Sequence, residues 1–264
     1  MSTYPTPPAA PTPPPQRGIN GRRQAIAVAA WLISVAVAFG IGTQVPLGAG
    51  ATAARPDVAA TAAQPDARAA SPTQTADPEL EKFLLALPRR QAGDPLALGR
   101  ADAPVVLTNW SDYRCPFCAK WHQETLPQLQ AAVDAGTLRI EFRDLVIFGE
   151  ESEQAAVAAR AAGVQGRFWQ FQEAVFAAAP ASGHPEIARA DLVAFARQAG
   201  VADLAAFEAA LDDEALRALV RQDTAEAQGF GISGTPFFVV GGQVLNGAQP
   251  IQAFQQAIAA ESSR

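Results

Sequence analysis

The arrangement of residues 103–146 constrains this chain more than any other feature. APVVLTNW (103–110) carries no charge, is rich in β-branched residues and reads as a buried strand. AKWHQETLPQLQAAVDAG (119–136) reads as a helix, kinked by Pro127 in its interior and ended by Gly136. TLRIEFRDLV (137–146) alternates apolar and polar side chains as a second strand does. Strand, helix and strand within about 45 residues form a βαβ unit, so the two strands should run parallel in one sheet.

The two cysteines of the chain, Cys115 and Cys118, fall between the first strand and the helix, in SDYRCPFCAKWH (111–122). Redox exchange, a metal and a structural link are the uses open to such a pair. A zinc site needs four ligands, and besides the cysteines the chain has His122 and His184. His122 lies about 10 Å up the helix from Cys115, too far to share an ion with it. His184, in SGHP, reads as a plain surface residue of a loop. Covalent haem needs CxxCH, and Ala119 stands in that histidine's place. A cysteine hydrolase needs a histidine partner, and nothing places one near Cys115. A disulfide closing so small a loop constrains the unfolded chain little, which weakens the structural reading. No metal and no cofactor is expected.

Redox exchange suits the local pattern. The thiolate is the attacking species, and a helix that begins near Pro116 turns unpaired N–H groups and its positive end toward Cys115. Pro116 fits the first turn because it removes no needed donor. Cys115 is therefore the expected nucleophile, and Cys118, one turn along, the resolving thiol. Arg114 and Lys120 flank the motif and could stabilise the thiolate, although solvated side chains are the commoner outcome. Asp112 is expected to cap the following helix. Trp110 and Trp121 read as packing residues.

Around this unit, PELEKFLLALPRR (78–90) has the Leu80, Phe83, Leu84 and Leu87 spacing of an amphipathic helix. An Ala-rich region from about 150 to 229 carries no strand signal, and its Phe168, Trp169, Phe171 and Phe176 read as helix-packing core. TPFFVV (235–240), Gly241-Gly242 and QVL (243–245) form a hairpin, and Pro250 opens a last helix. The order βαβ, helices, ββα is an α/β, thioredoxin-like arrangement with an inserted helical subdomain at about 148–229.

With DYRCPFC (112–118), GISGTPFFVVGG (231–242) and FWQFQEAVF (168–176) in place, residues 95–264 resemble the DsbA-like disulfide oxidoreductases of bacteria. The resemblance implies a cis peptide bond before Pro236, lying against the cysteines, with the Thr235 backbone free to pair with an extended substrate. It implies cysteine-containing exported proteins as substrates, a redox-active Cys115–Cys118 disulfide and a membrane redox-recycling partner. Two positions depart from the family pattern. Asn109 stands where many relatives carry a buried carboxylate, and Phe117 where the strongest oxidants carry histidine. Asn109 cannot act as a base near neutral pH, so proton transfer must use water or another group. Phe117 donates no hydrogen bond and carries no charge, so a less stabilised Cys115 thiolate and a weaker oxidant than those relatives are expected. Oxidase, reductase and isomerase share these residues, and a non-catalytic binding module or holdase is the rival of another class.

The N-terminal part sets the compartment. Residues 1–24 hold a Pro-rich tract, PTPPAAPTPPP (5–15), and read as a disordered cytoplasmic tail. AIAVAAWLISVAVAFGIG (25–42) carries no charge and as a helix would span about 27 Å, which suits a single transmembrane anchor or uncleaved signal. A cleaved signal peptide competes with that reading. Residues 43–77, rich in Ala, Pro and Thr, read as a spacer, leaving 78–264 as a monomeric domain outside the cytoplasm. A net charge of −6 without a basic stripe gives nucleic-acid binding no support.

Overall fold

The structure, a computed structural model, describes Thr73–Gln74 and residues 77–264. The tail, the apolar run 25–42 and the spacer apart from Thr73, Gln74 and Asp77 lie outside the described residues. Among the described residues no helix is long and apolar enough to cross a membrane.

β1 (Thr73–Gln74) precedes α1 (Pro78–Ala86), whose N-terminus is closed by the Asp77 carboxylate accepting from the Glu79 N–H at 2.9 Å. This helix stops short of the expected residue 90. The backbone N–H groups of Arg89 and Arg90 turn away to the Glu141 carboxylate, at 2.8 and 2.7 Å. β2 (Ala97–Leu98) and β3 (Val105–Ser111) follow, then α2 (Pro116–Lys120), a π-helical turn (Trp121–Thr125) and α3 (Leu126–Asp134). The expected kink at Pro127 takes the form of that π turn. Proline lacks the N–H that would bond four residues back, and the Leu126 N–H reaches the Trp121 carbonyl instead.

β4 (Leu138–Asp144) completes the βαβ unit. Five helices come next: α4 (Glu150–Val164), α5 (Phe168–Ala177), α6 (Arg189–Gln198), α7 (Leu204–Ala210) and α8 (Glu214–Gly229). β5 (Phe237–Val240), β6 (Gln243–Asn246) and α9 (Ile251–Ser262) close the chain. The sheet order is β1-β6-β5-β3-β4-β2, with β3 and β4 parallel and every other pair antiparallel. The thioredoxin-like reading thus holds, with two short edge strands added.

Period-two alternation decides what each face buries. Val105 and Leu107 of β3 and Leu138 and Ile140 of β4 pack with Trp121, Leu129, Phe238 and Phe254 under the π turn, α3 and α9. Trp110 and Val239 point the other way, toward Leu84 of α1 and Ala227 of α8. Each such aromatic or aliphatic side chain stabilises the fold by about 1.5–3 kcal/mol. The alternate residues of β4 are charged and equally buried. Glu141 takes Arg139 at 2.7 Å and Arg143 at 3.1 Å, so the polar face is sealed by ion pairs and by the residues after α1.

Candidate active site

β3 delivers the chain to the carboxyl edge of the sheet, where Asp112–Arg114 turn it into α2. Cys115 is the N-cap residue of α2, with extended backbone (φ −81°, ψ 118°) and Pro116 in the first turn. The Cys115 carbonyl accepts from the N–H groups of Cys118 and Ala119, both at 3.1 Å, which fixes the loop. Both thiols are free. Across from them the Thr235–Pro236 bond is cis, and the Cys115 thiol reaches the Thr235 carbonyl at 3.4 Å. Residues 120 apart in sequence thus meet at one sulfur.

The two thiols differ sharply. Cys115 is lowered to about 6, chiefly because the Cys118 thiol hydrogen-bonds to its sulfur. Burial opposes this, while the Thr235 side chain and the backbone N–H groups of Cys118 and Phe117 add to it. Burial pushes Cys118 well above its ordinary value, the Cys115 sulfur adds to that, and the Ser111 side chain pulls the other way. One sulfur is equipped to ionise near neutral pH and its neighbour to stay protonated. Among the described residues no cluster of three or more His, Cys, Asp or Glu is arranged to hold a metal.

Asp112 does not cap α2, which has no side-chain cap. Its buried carboxylate accepts instead from the Arg114 and Ile147 N–H groups, both at 2.8 Å, the Phe148 N–H at 3.3 Å and the Ser152 hydroxyl at 2.7 Å. It ties the cysteine loop to the chain entering α4. Arg114 is neither solvated nor committed to the thiolate. Its guanidinium donates to the carbonyls of Pro185 (2.6 Å) and Phe148 (2.7 Å) and pairs with Glu151 at 2.8 Å. His184 is exposed yet not a bystander: Nδ1 lies 3.0 Å from the Arg114 carbonyl, and its ring stacks on Phe148 at 3.8 Å. Lys120 is exposed and lies 4.0 Å from Glu124.

Asn109 and Phe117 are opposites in exposure. Asn109 is buried, on the β3 face shared with Leu107 and Ser111, and its Oδ1 has no hydrogen-bond partner among the described residues. Phe117 is 61% exposed beside the cysteines. Trp110 and Trp121 are buried, packing on Phe237 and Phe238 as expected of core residues. His122 is buried against Phe176, and burial pushes its imidazole down to about 4. Sequence reasoning missed Ser111 and Tyr113. Tyr113 is buried, stacks on Phe176 and accepts from the Gln172 amide at 3.0 Å. No local pattern marks either residue, since their partners lie on other elements.

Comparison with known proteins agrees with this geometry. The family profile described as Thioredoxin matches residues 91–260. Disulfide bond formation protein D of Bacillus subtilis (strain 168) is 26% identical over 172 residues, 64% of this chain and 77% of that protein. Na(+)/H(+) antiporter NhaA 3 of Salinispora tropica is 30% identical over 162 residues, 61% of this chain and 24% of the antiporter. The crystal structure of oxidised BdbD from Bacillus subtilis superposes with a TM-score of 0.60 at 25% identity, covering 65% of this chain and 94% of that one.

Proposed function

Since the chain belongs to the thioredoxin family and is a DsbA-like thiol–disulfide oxidoreductase, we propose that it forms disulfides in exported proteins, outside the cytoplasm, through Cys115 and Cys118. The observation that carries this reading is the Cys115 sulfur at the start of α2, lowered to about 6 and facing the Thr235 carbonyl. In the oxidising direction a client thiolate attacks Cys115 of the Cys115–Cys118 disulfide. The S–S bond breaks, Cys118 leaves and takes a proton, and a mixed disulfide forms. A second client thiolate then attacks the client sulfur of that bond, and Cys115 leaves as thiolate. The client has lost two electrons and the pair has gained them. A sulfur that is stable as thiolate is a good leaving group, which favours this direction.

The remaining residues take roles in the same reaction. The Thr235 carbonyl faces the sulfur, where an extended client segment can pair with the Thr235 backbone. Pro116 starts the helix, exposed Phe117 offers an apolar contact to clients, and buried Asn109 cannot act as a base. The apolar run 25–42 supports a membrane tether and residues 43–77 a spacer, so the domain would work as a monomer near the membrane and be reoxidised by a membrane redox partner. In cells carrying the Cys118→Ala variant, exported proteins should accumulate on Cys115 as dithiothreitol-sensitive mixed disulfides. Absence of such adducts refutes the exchange reaction. A wild-type pair found mostly reduced in the cell overturns the oxidising direction.

A further inference from the structure

The proton of Cys118 has to move in every exchange, and the ends of β3 and β4 offer a path for it. The Ser111 side chain hydrogen-bonds the Cys118 thiol. Ser111 stands directly opposite Asp144 in the parallel β3–β4 pair, and the Leu145 N–H donates to the Ser111 carbonyl at 3.0 Å. Opposed residues of neighbouring strands present their side chains to one face, about 4.8 Å apart. Across that gap a serine hydroxyl and an aspartate carboxylate meet by a change of rotamer. The face is the one toward the cysteines: Phe142, two residues before Asp144, belongs to the buried cluster that holds Cys115 and Cys118.

Four carboxylates are buried among the described residues: Asp112, Glu141, Asp144 and Asp223. Both oxygens of Asp112 accept hydrogen bonds, as do both of Glu141. Asp223 takes Arg89 on one oxygen at 2.7 Å and Arg160 on the other at 2.6 Å. Asp144 is different. Arg160 Nε donates to its Oδ2 at 2.6 Å, while Oδ1 has no hydrogen-bond partner among the described residues. A buried carboxylate oxygen left without a donor favours the protonated acid. Burial raises the Asp144 carboxyl to about 6; Arg160 on α4 opposes this, and Asp223 on α8 and Asp112 on the cysteine loop add to it. Tyr113, pushed up by burial and by Asp144, stays neutral.

We propose that Asp144 exchanges the Cys118 proton through the Ser111 hydroxyl, while Arg160 holds the carboxylate in place. The proposal rests on the redox function above and names the proton carrier of its second sulfur. In the oxidising direction the client thiolate bonds to Cys115, and Cys118 leaves with the electron pair of the broken S–S bond. The Ser111 hydroxyl gives its proton to the Cys118 sulfur and takes the proton of the Asp144 acid. When a partner disulfide reoxidises the pair, the transfer runs backward. Cys118 attacks the mixed disulfide at Cys115, and its proton passes through Ser111 to the Asp144 carboxylate. The carboxyl ends the cycle as it began. At about 6, both of its forms are present at pH 7, the acid in about one molecule in ten.

The test isolates the Cys118 step. Reduced full-length protein is mixed with excess glutathione disulfide, quenched with acid at intervals and read by mass spectrometry. This separates attack by Cys115 from release of glutathione by Cys118. Ser111→Ala and Asp144→Asn should each lower the ratio of release to attack about 100-fold at pH 7. The double variant should be no slower than either single one, because one broken link stops a relay in series. In the wild type the release should rise with pH through an inflection near 6, since the carboxylate must be free to accept. Cys115, bonded to glutathione in this step, has no thiol to titrate. Ser111→Ala leaves the Asp144–Arg160 pair intact and carries the test if Asp144→Asn does not fold. A ratio within about threefold of wild type in Ser111→Ala overturns the proposal. So does a double variant slowed by the product of the two single effects, or a wild-type release without the inflection. Failure of the wild type to form any mixed disulfide refutes the redox function itself, and the relay with it.

Discussion

The lowered Cys115 thiol makes the reduced protein's stability depend on pH in a way that the oxidised protein's does not. In the fold Cys115 titrates near 6, against an ordinary value of 9.0. A depressed acid contributes stability that is full above its unfolded value and is lost as pH falls through its folded value. At pH 7 an unscreened sulfur would gain about 1.4 kcal/mol, and solvent at the site reduces this to about 1 kcal/mol. The Cys118 thiol, raised well above its ordinary value, stays protonated across this window. His122 affects both forms equally and cancels in their difference. Urea unfolding of reduced and oxidised protein from pH 5 to 8.5 measures that difference directly. The reduced form should gain on the oxidised by about 1 kcal/mol per pH unit above pH 6 and by almost nothing below it. The same gain at pH 7 places the couple about 20–30 mV above one with unperturbed thiols. A difference that stays flat from pH 6 to 8.5 would refute the assignment of Cys115 as the ionised sulfur. A steep rise already below pH 5 would refute the weaker-oxidant reading of Phe117.

Three further outcomes follow from side chains around the site. Asp112→Ala removes the acceptor of four hydrogen bonds in a buried position and should cost about 3 kcal/mol in urea unfolding, with the cysteine loop loosened. Arg114→Ala should speed hydrogen exchange around 148 and 185 while moving the Cys115 titration by less than about 0.3 unit, since Arg114 braces the loop and does not hold the thiolate. For His122, lowered to about 4 by burial, the unfolded chain takes up a proton first as pH falls below 6.5, so stability drops between pH 6.5 and 4. His122→Gln should remove a loss of about 3 kcal/mol over that window, read from unfolding at each pH.

The sheet was legible because its central strands carry their own period. APVVLTNW and TLRIEFRDLV declare strands, and Gly241-Gly242 declares the β5–β6 hairpin, whatever surrounds them. Thr73–Gln74 and Ala97–Leu98 carry no period of their own. They become strands because β6 and β4 present free edges to them. The cysteine pair and Thr235-Pro236 were legible from residue type and order. The contacts of Asp112, Arg114 and His184 were not legible because most of their partners lie 34 to 71 residues away. A charged side chain near a strand end says nothing by itself about which distant carbonyl will receive it. Ser111 is the sharper case: one hydroxyl at the end of β3 acquires a role because it hydrogen-bonds the Cys118 thiol, seven residues on.

The two sulfurs differ in what holds their protons. Cys115 draws its ionisation from the Cys118 thiol, from the Thr235 side chain and from backbone N–H groups, none of which depends on the side chain at 117. An apolar side chain at 117 leaves those contacts in place. Cys118 has no comparable support. Burial holds its proton, opposed by the Ser111 side chain and the Asp112 backbone, and the buried Asn109 amide cannot act as a base near neutral pH. In the oxidising direction Cys118 must gain a proton as it leaves, and in the reverse direction it must lose one to attack. Both steps cross the same barrier, by microscopic reversibility. The proton at Cys118 is therefore the harder one to move in the proposed exchange.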